Sequence, residues 1–212
     1  MTQSTTQPVL FGTHFHRPIT VAFDQPDSSS DGGAVLLKAV DKNLNLTERL
    51  AKTICDSRQP GKVIHRNLDL LRQRIYGIAA GYPDCNDAES LAKDPIHKLL
   101  LDRDPMDGQD LGSQPTLSRF ENSVTSKDLF AMAESLADIV VEHHACRLKN
   151  RARRITIDLD PTDDPTHGAQ QLSFFNAHYH CFCYLPMIGT MQFNGENEKY
   201  LFAAVLRPGN AH

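Results

Sequence analysis

The sequence contains no tryptophan, no export signal and no apolar run long enough to span a membrane. Its longest stretch without a formal charge, 165–195, holds 31 residues but is interrupted by histidine, glutamine, asparagine and proline. A spanning helix needs about 20 mainly apolar residues, so we expect no transmembrane segment. The first eight residues are polar and lack the apolar core of a secretory signal. The five cysteines are an odd number, which favours reduced thiols and a cytoplasmic protein.

The charge of the chain is low overall but locally concentrated. A net charge of −4 argues against a globally basic nucleic-acid binder. Five cations nevertheless fall within eight residues, and we call them the basic block: Arg147, Lys149, Arg151, Arg153 and Arg154. Such a block can contact DNA phosphates even in an acidic protein, so it is our candidate DNA-binding segment. The alternative is a solvated helix end, where cations also suit the helix dipole.

Hydrophobic spacing changes character once along the chain. Up to about residue 150, apolar residues recur three and four positions apart, which predicts helices. Capping-box patterns at Asn45 and Thr125 predict two helix starts. Beyond Arg154 the period becomes two, which predicts strands. We therefore expect an α+β chain with a flexible N-terminus (1–18), a mainly helical region (19–150) and a β region (151–212).

The β region holds three strand candidates with short links. They cover 155–160, 178–185 and 200–206, and no long helix fits between them. Short links favour an antiparallel meander. In the helical part, the predicted helix over 67–81 carries Arg72 and Arg74 and follows Arg66. These arginines fit either entry into a DNA groove or an ordinary solvated face.

The strongest chemical pattern is the strand end at 155–164, ITIDLDPTDD. Asp158 and Asp160 are two residues apart, so a strand points both carboxylates to one face. Carboxylates are preferred magnesium ligands, and two such ions can clamp a phosphodiester. Asp158 and Asp160 are thus the candidate catalytic and metal-binding residues. The alternative is a polar strand end followed by an Asp-rich turn.

Two enzyme families share such a strand. In haloacid-dehalogenase-like phosphohydrolases the motif is Asp-x-Asp-x-Thr, which Asp158, Asp160 and Thr162 fit, with Asp158 as nucleophile and Asp160 as acid/base. In the ribonuclease H-like fold of DDE transposases one aspartate is commonly followed by x-Thr, which Asp160 and Thr162 fit. The phosphohydrolase fold needs a parallel sheet with crossover helices. The short links here favour the antiparallel start of the ribonuclease H-like fold.

Longer blocks favour the second family. They are SSSDGGAVLLKAVDKNLNLTERLA (28–51), RQRIYGIAAGYPDCNDAESLAKDP (72–95), GSQPTLSRFEN (112–122), ITIDLDPTDDPTHG (155–168), YLPMIG, and YLFAAVLRPGNAH at the end. With these blocks the chain resembles DDE transposases of bacterial insertion sequences, in the IS4-like clan and its group numbered thirteen-eighty. The resemblance covers almost the whole chain. It implies that the mainly helical region (19–150) binds DNA and that 151–212 is the incomplete start of a ribonuclease H-like DDE catalytic domain.

The resemblance implies hydrolysis of a phosphodiester at the transposon end, followed by attack of the freed 3′-hydroxyl on target DNA. It implies three acidic residues that hold Mg²⁺ or Mn²⁺, with Asp160 as the first. It also implies double-stranded terminal inverted repeats as the DNA partner, a second copy or a full-length transposase as the protein partner, and nucleoid association.

The sequence departs from this pattern after Asp164, where the only acidic residues are Glu196 and Glu198. We therefore expect a C-terminally truncated transposase that binds metal weakly and is inactive alone. A non-catalytic DNA-binding protein is the remaining alternative.

Overall fold

A computed structural model describes residues 7–8, 20–21, 29–149 and 151–211. Contacts divide the chain into two compact units, Met1–Leu129 and Phe130–His212. The described part combines helices with antiparallel sheets, which confirms the α+β class. Within it, no helix is both long and apolar enough to cross a bilayer.

Seven α-helices are described, and the change to strands comes after the last of them. The helices are α1 (Ala34–Leu44), α2 (Leu46–Thr53), α3 (Asn67–Ala79), α4 (Ala88–Leu91), α5 (Pro95–Leu100), α6 (Gln114–Ser123) and α7 (Ser126–Arg147). The predicted helix over 67–81 corresponds to α3, and the predicted helix starts at Asn45 and Thr125 precede α2 and α7, whereas α6 was not predicted. Pro115 stands in the first turn of α6, where the missing N–H has no partner to lose, so the proline starts this helix and does not exclude it.

The first unit has a small apolar core around Tyr76 and Leu100. Both are almost completely buried, and Ala34, Leu101 and Leu111 belong to the same cluster. The cluster therefore joins α1, α3 and α5 to the segment that precedes α6. Burial of apolar side chains in this cluster is the main force that holds these elements together.

The joint between α1 and α2 differs from the predicted capping box. Asn45 has a φ of 55°, in the left-handed region, and its side chain makes no cap hydrogen bond. Asp41 takes that role, since its carboxylate accepts the backbone N–H of Thr47 at 2.7 Å and the Thr47 hydroxyl at 2.6 Å. The Tyr76 hydroxyl donates to the same carboxylate at 2.7 Å. The prediction was wrong because a left-handed Asn45 ends α1 and is not in the extended conformation of an N-cap.

The cap predicted for α7 is confirmed. The Asp128 carboxylate accepts the backbone N–H and the hydroxyl of Thr125 at 2.8 and 2.7 Å. It also accepts the backbone N–H of Cys55 at 3.2 Å, which ties the start of α7 to the segment after α2.

Eight strands are described, and every pair of them is antiparallel. They are β1 (Gln7–Pro8), β2 (Thr20–Val21), β3 (Ile155–Pro161), β4 (Asp164–Pro165), β5 (Phe174–Asn176), β6 (Cys181–Tyr184), β7 (Met187–Phe193) and β8 (Tyr200–Val205). Three sheets result, with orders β1-β2, β3-β7-β8 and β4-β6-β5. Apart from β1, the N-terminus that we predicted to be flexible lies outside the described residues.

The predicted three-stranded meander is antiparallel, as expected, and its outer strands are β3 and β8. The prediction of its middle strand was wrong. Residues 178–185 contain β6, which belongs to the separate β4-β6-β5 sheet, and β7 lies between β3 and β8. The sequence hides β7 because Gly189 interrupts its pattern. The structure explains this glycine, since a Cβ there would lie 2.9 Å from the ring of Phe202.

Candidate functional site

The candidate site lies on one face of the β3-β7-β8 sheet. Asp158 and Asp160 are both exposed and alternate with Leu159, so they share a face, which we call the acid face. Across the ladder, Asp158 is opposite Thr190 and Asp160 is opposite Ile188. The strand β3 is exposed along its whole length, so both carboxylates are open to solvent.

A lysine contacts one of the two carboxylates. Lys199 directly precedes β8, and its ammonium lies 2.9 Å from Asp158 Oδ2. Since β7 separates β8 from β3, the lysine side chain passes over β7 to reach Asp158. Hydrogen bonding to Asp158 raises the pKa of Lys199, and the charges of Asp158 and Asp160 add to the effect. Asp160 makes no hydrogen bond or ion pair within the described residues.

Two contacts hold the end of β3 next to Asp160. The hydroxyl of Tyr179, from the turn between β5 and β6, donates to the carbonyl of Pro161 at 3.3 Å. The backbone N–H of Thr162 donates to the carbonyl of Pro186 at 3.0 Å. Sequence reasoning missed Tyr179 and Lys199, because no local pattern relates either residue to the Asp158–Asp160 pair.

The late acidic residue Glu196 does not join this site. It follows Phe193, which pairs with Ile155 at the start of β3, whereas Asp160 lies five residues further along the strand. At about 3.3 Å per residue, the two ends are roughly 17 Å apart. Glu196 instead accepts two hydrogen bonds from Arg147.

The donor set fits one hydrated magnesium ion. Within the described residues, no group of three or more histidine, cysteine, aspartate or glutamate side chains could hold a metal. Magnesium often takes only one or two carboxylates and keeps several waters, so Asp160, with or without Asp158, satisfies that requirement. A second ion would need further carboxylates, which these residues do not supply.

The basic block is not uniform. Arg147 is committed to Glu196, and its guanidinium also lies 6.0 Å from the ring centroid of Tyr200. The guanidinium of Arg154 lies against Gly195. The remaining three cations are exposed and make no ion pair within the described part of the chain, which omits residue 150: Lys149, Arg151 and Arg153. These three are therefore the members of the block most available to a phosphate.

Asn194 holds the backbone between α7 and β3. Its side-chain oxygen accepts the backbone N–H of Arg153 at 2.7 Å and that of Arg154 at 3.3 Å. Its own backbone N–H donates to the carbonyl of Arg154 at 2.9 Å. The segment that carries the exposed cations is thus anchored to the turn that follows β7.

The arginines of the α3 region are engaged within their own unit. Arg66 pairs with Asp69, and Arg74 pairs with Glu121. Arg72 lies 3.4 Å from Asp102, 3.7 Å from Asp41 and 3.0 Å from the Thr47 hydroxyl. These contacts favour internal packing over entry into a DNA groove, and they give Glu121 of the GSQPTLSRFEN block a structural role.

A buried histidine packs beside the Arg147–Glu196 pair. The ring of His144 lies 4.7 Å from that of Phe193 and 3.9 Å from that of Tyr200, centroid to centroid. Its Nδ1 accepts a hydrogen bond from Arg147 Nε at 3.0 Å, which requires a neutral ring at that nitrogen. Burial, together with the charge of Arg147, lowers the pKa of His144.

Comparison with known proteins adds one finding. A family model described as transposase DDE domain, group 1, matches residues 11–212, which is nearly the whole chain. No curated protein matches the sequence. No solved structure matches it either.

Proposed function

The chain belongs to the transposase DDE domain group 1 family, and on that premise we propose that it acts at the ends of an insertion sequence as a transposase. The finer placement in the IS4-like clan, in the group numbered thirteen-eighty, is part of this proposal. So are a ribonuclease H-like catalytic domain, a double-stranded terminal-repeat partner and association with the nucleoid.

One observation carries the catalytic part of the proposal. Asp158 and Asp160 lie side by side on an exposed face, near the end of the first strand of an antiparallel sheet. An exposed pair of carboxylates beside open solvent is accessible to a bulky, rigid substrate such as duplex DNA. The antiparallel pairing of β3 with β7 speaks against the phosphohydrolase alternative, because that fold requires parallel neighbours joined by helices.

The metal is assigned by the chemistry of the donors. DDE enzymes generally use a divalent ion, and Asp160 would hold it here through its carboxylate. When bound, the ion would polarise a phosphoryl oxygen and lower the pKa of a bound water. The chain itself would contribute the rigid placement of Asp160, since the ends of β3 and β6 are joined through Thr162 and Pro186.

DNA contact is assigned to the exposed part of the basic block. Lys149, Arg151 and Arg153 are free of ion pairs among the described residues, whereas both terminal nitrogens of Arg147 already donate to Glu196. Phosphate contact releases condensed counterions, so each contact adds to the salt dependence of binding. Arg147 then serves mainly to hold the end of α7 against the turn that follows β7, and the three exposed cations of the block face the DNA.

The test measures DNA affinity against salt concentration. A duplex from the end of the element that encodes the chain is compared with a mixed-sequence duplex by fluorescence anisotropy. The triple variant Lys149→Gln, Arg151→Gln, Arg153→Gln is compared with a control that loses the same charge at distant exposed positions: Lys62→Gln, Lys93→Gln, Lys127→Gln.

We expect the slope of log affinity against log salt to fall by up to about 0.9 for each lost contact in the first variant only. An equal decrease of the slope in both variants would show that only net charge matters, and would contradict DNA contact by the basic block. Equal affinity for both duplexes would contradict the recognition of transposon ends.

A further inference from the structure

We propose that Lys199 contacts a DNA backbone phosphate at the acid face, and that Asp158 is the positioning residue that holds it there. Asp160 then remains as the carboxylate of β3 that is open to a metal ion. This inference rests on the proposed function and deepens it. The sequence assigns metal binding to both Asp158 and Asp160, whereas we assign metal binding to Asp160 and the positioning of Lys199 to Asp158.

The geometry of the Lys199–Asp158 pair motivates the assignment. The ammonium has three N–H donors, and the contact with Asp158 at 2.9 Å uses one of them. The Lys199 side chain is 54% exposed and that of Asp158 is 53% exposed, so the pair is open on its solvent side. The two remaining donors are therefore accessible to a ligand that approaches the acid face from solvent.

Charge supplies the second argument. Without a cation, two adjacent carboxylates would repel the phosphates of any DNA strand that approached Asp160. Lys199 neutralises one of the two charges, and its ammonium keeps two further N–H donors on the same face. Opposite charges steer and orient a polyanion, so this cation favours an approach that places a phosphate next to Asp160.

Distance supplies the third argument. The basic block ends at Arg154, six residues before Asp160 along an extended strand. At about 3.3 Å per residue this separation is roughly 20 Å, longer than an arginine side chain can span. A phosphate beside Asp160 therefore needs a cation of its own, and Lys199 is the described cation that contacts the acid face.

The experiment separates phosphate contact from metal binding. The first measurement is the salt dependence of binding to a mixed-sequence duplex, for wild type, Lys199→Gln, Lys199→Arg and the exposed control Lys62→Gln. The second measurement is Mn²⁺ binding followed by electron paramagnetic resonance, in the absence of DNA, for wild type, Asp158→Asn, Asp160→Asn and Lys199→Gln. Circular dichroism checks that each variant is folded.

We expect Lys199→Gln to lower the salt slope by about 0.9, one phosphate contact, whereas Lys62→Gln leaves it unchanged and Lys199→Arg retains it. Measured in the same way, Lys199→Gln should change the slope less in an Asp158→Asn background than in the wild-type background, because the ammonium has already lost the acceptor that positions it. In the metal measurement, Asp160→Asn should abolish Mn²⁺ binding, and Asp158→Asn should leave it near the wild-type level.

Two results would overturn the inference and leave the proposed function standing. One is a wild-type chain that binds DNA with a slope that Lys199→Gln does not change. The other is loss of Mn²⁺ binding in Asp158→Asn to the same extent as in Asp160→Asn, since Asp158 would then be a metal ligand. Absence of DNA binding by the wild-type chain would instead reject the proposed function, and this inference with it.

Discussion

Arg147 and Glu196 form a two-pronged ion pair in which Nη1 donates to Oε1 at 3.0 Å and Nη2 donates to Oε2 at 2.7 Å. Parallel hydrogen bonds of this kind fix orientation as well as distance. The pair joins the C-terminal end of α7 to the turn that follows β7. The sequence predicts that Arg147 contacts a DNA phosphate, and Glu196 is one of the two acidic residues after Asp164 that could have joined the metal site. In the structure the two side chains bind each other instead.

The Arg147–Glu196 pair should contribute a pH-dependent part of the stability. Hydrogen bonding to Arg147 lowers the pKa of Glu196 below its ordinary value of 4.5. A lowered carboxyl pKa gives stability that is complete above the ordinary value and is lost as pH falls through the lowered one. Glu196→Gln should therefore melt at a lower temperature than wild type at pH 7. The difference should disappear in acid, as measured by thermal denaturation.

Glu198→Gln is the matched control, because Glu198 lies in the same turn and has no hydrogen bond to Arg147 within the described residues. A difference between wild type and Glu196→Gln that stays constant from pH 7 to pH 3 would contradict the assignment.

His144 should make the second unit sensitive to pH near neutrality. Its pKa is lowered in the fold, so the unfolded chain takes up a proton first as the pH falls. Stability should accordingly be complete above the ordinary value of 6.5 and decrease below it, down to the lowered value. Thermal melts between pH 8 and about pH 5 should show this decrease in wild type. They should show a flatter profile in His144→Phe, which keeps an aromatic ring between Phe193 and Tyr200.

His143→Gln controls for the exposed neighbouring histidine and should keep most of the wild-type profile, because burial is the largest cause of the lowered pKa of His144 and the charge of His143 only adds to it. Glu196 opposes the shift of His144, and Arg147 and His143 reinforce it. A profile as flat as that of His144→Phe in the His143→Gln variant would assign the pH dependence to His143 and contradict the prediction.

The Asp41 carboxylate should be a strong determinant of the stability of the first unit. It is buried and accepts hydrogen bonds from Thr47 and Tyr76. Asp41→Ala would leave those donors without their acceptor, at a cost of about 2–5 kcal/mol in the free energy of unfolding. Tyr76→Phe removes one hydrogen bond and should cost about 1 kcal/mol. Urea denaturation measures both, and Lys42→Ala, on the exposed side of α1, should stay near wild type.

The chain by itself should not nick or join DNA. The described residues place two carboxylates on the acid face, and one of them is held by Lys199. In-line displacement at phosphorus with two ions needs carboxylates around both, so the geometry that supplies most of the rate is missing. Purified chain incubated with end-repeat DNA and Mg²⁺ or Mn²⁺ should leave the duplex intact. Metal-dependent nicking that Asp160→Ala abolishes would show that the site is complete after all.

The sequence predicts the parts of this molecule that depend on local spacing. The shared face of Asp158 and Asp160 follows from the period of a strand, and the start of α7 follows from Thr125 and Asp128. Lys199 could not be assigned, because its contact with Asp158 spans 41 residues and depends on which strand lies between them. The middle strand itself was misplaced because Gly189 interrupts the apolar pattern.

The backbone conformation of Asn45 restricts which residue types can replace it in related proteins. Its φ of 55° suits glycine, asparagine and aspartate and penalises branched side chains. An alignment of homologues should therefore show those three residue types at this position, even where the surrounding helices have changed. Designers who shuffle segments between such proteins can cut at this joint, provided that the residue between the two helices keeps a left-handed backbone.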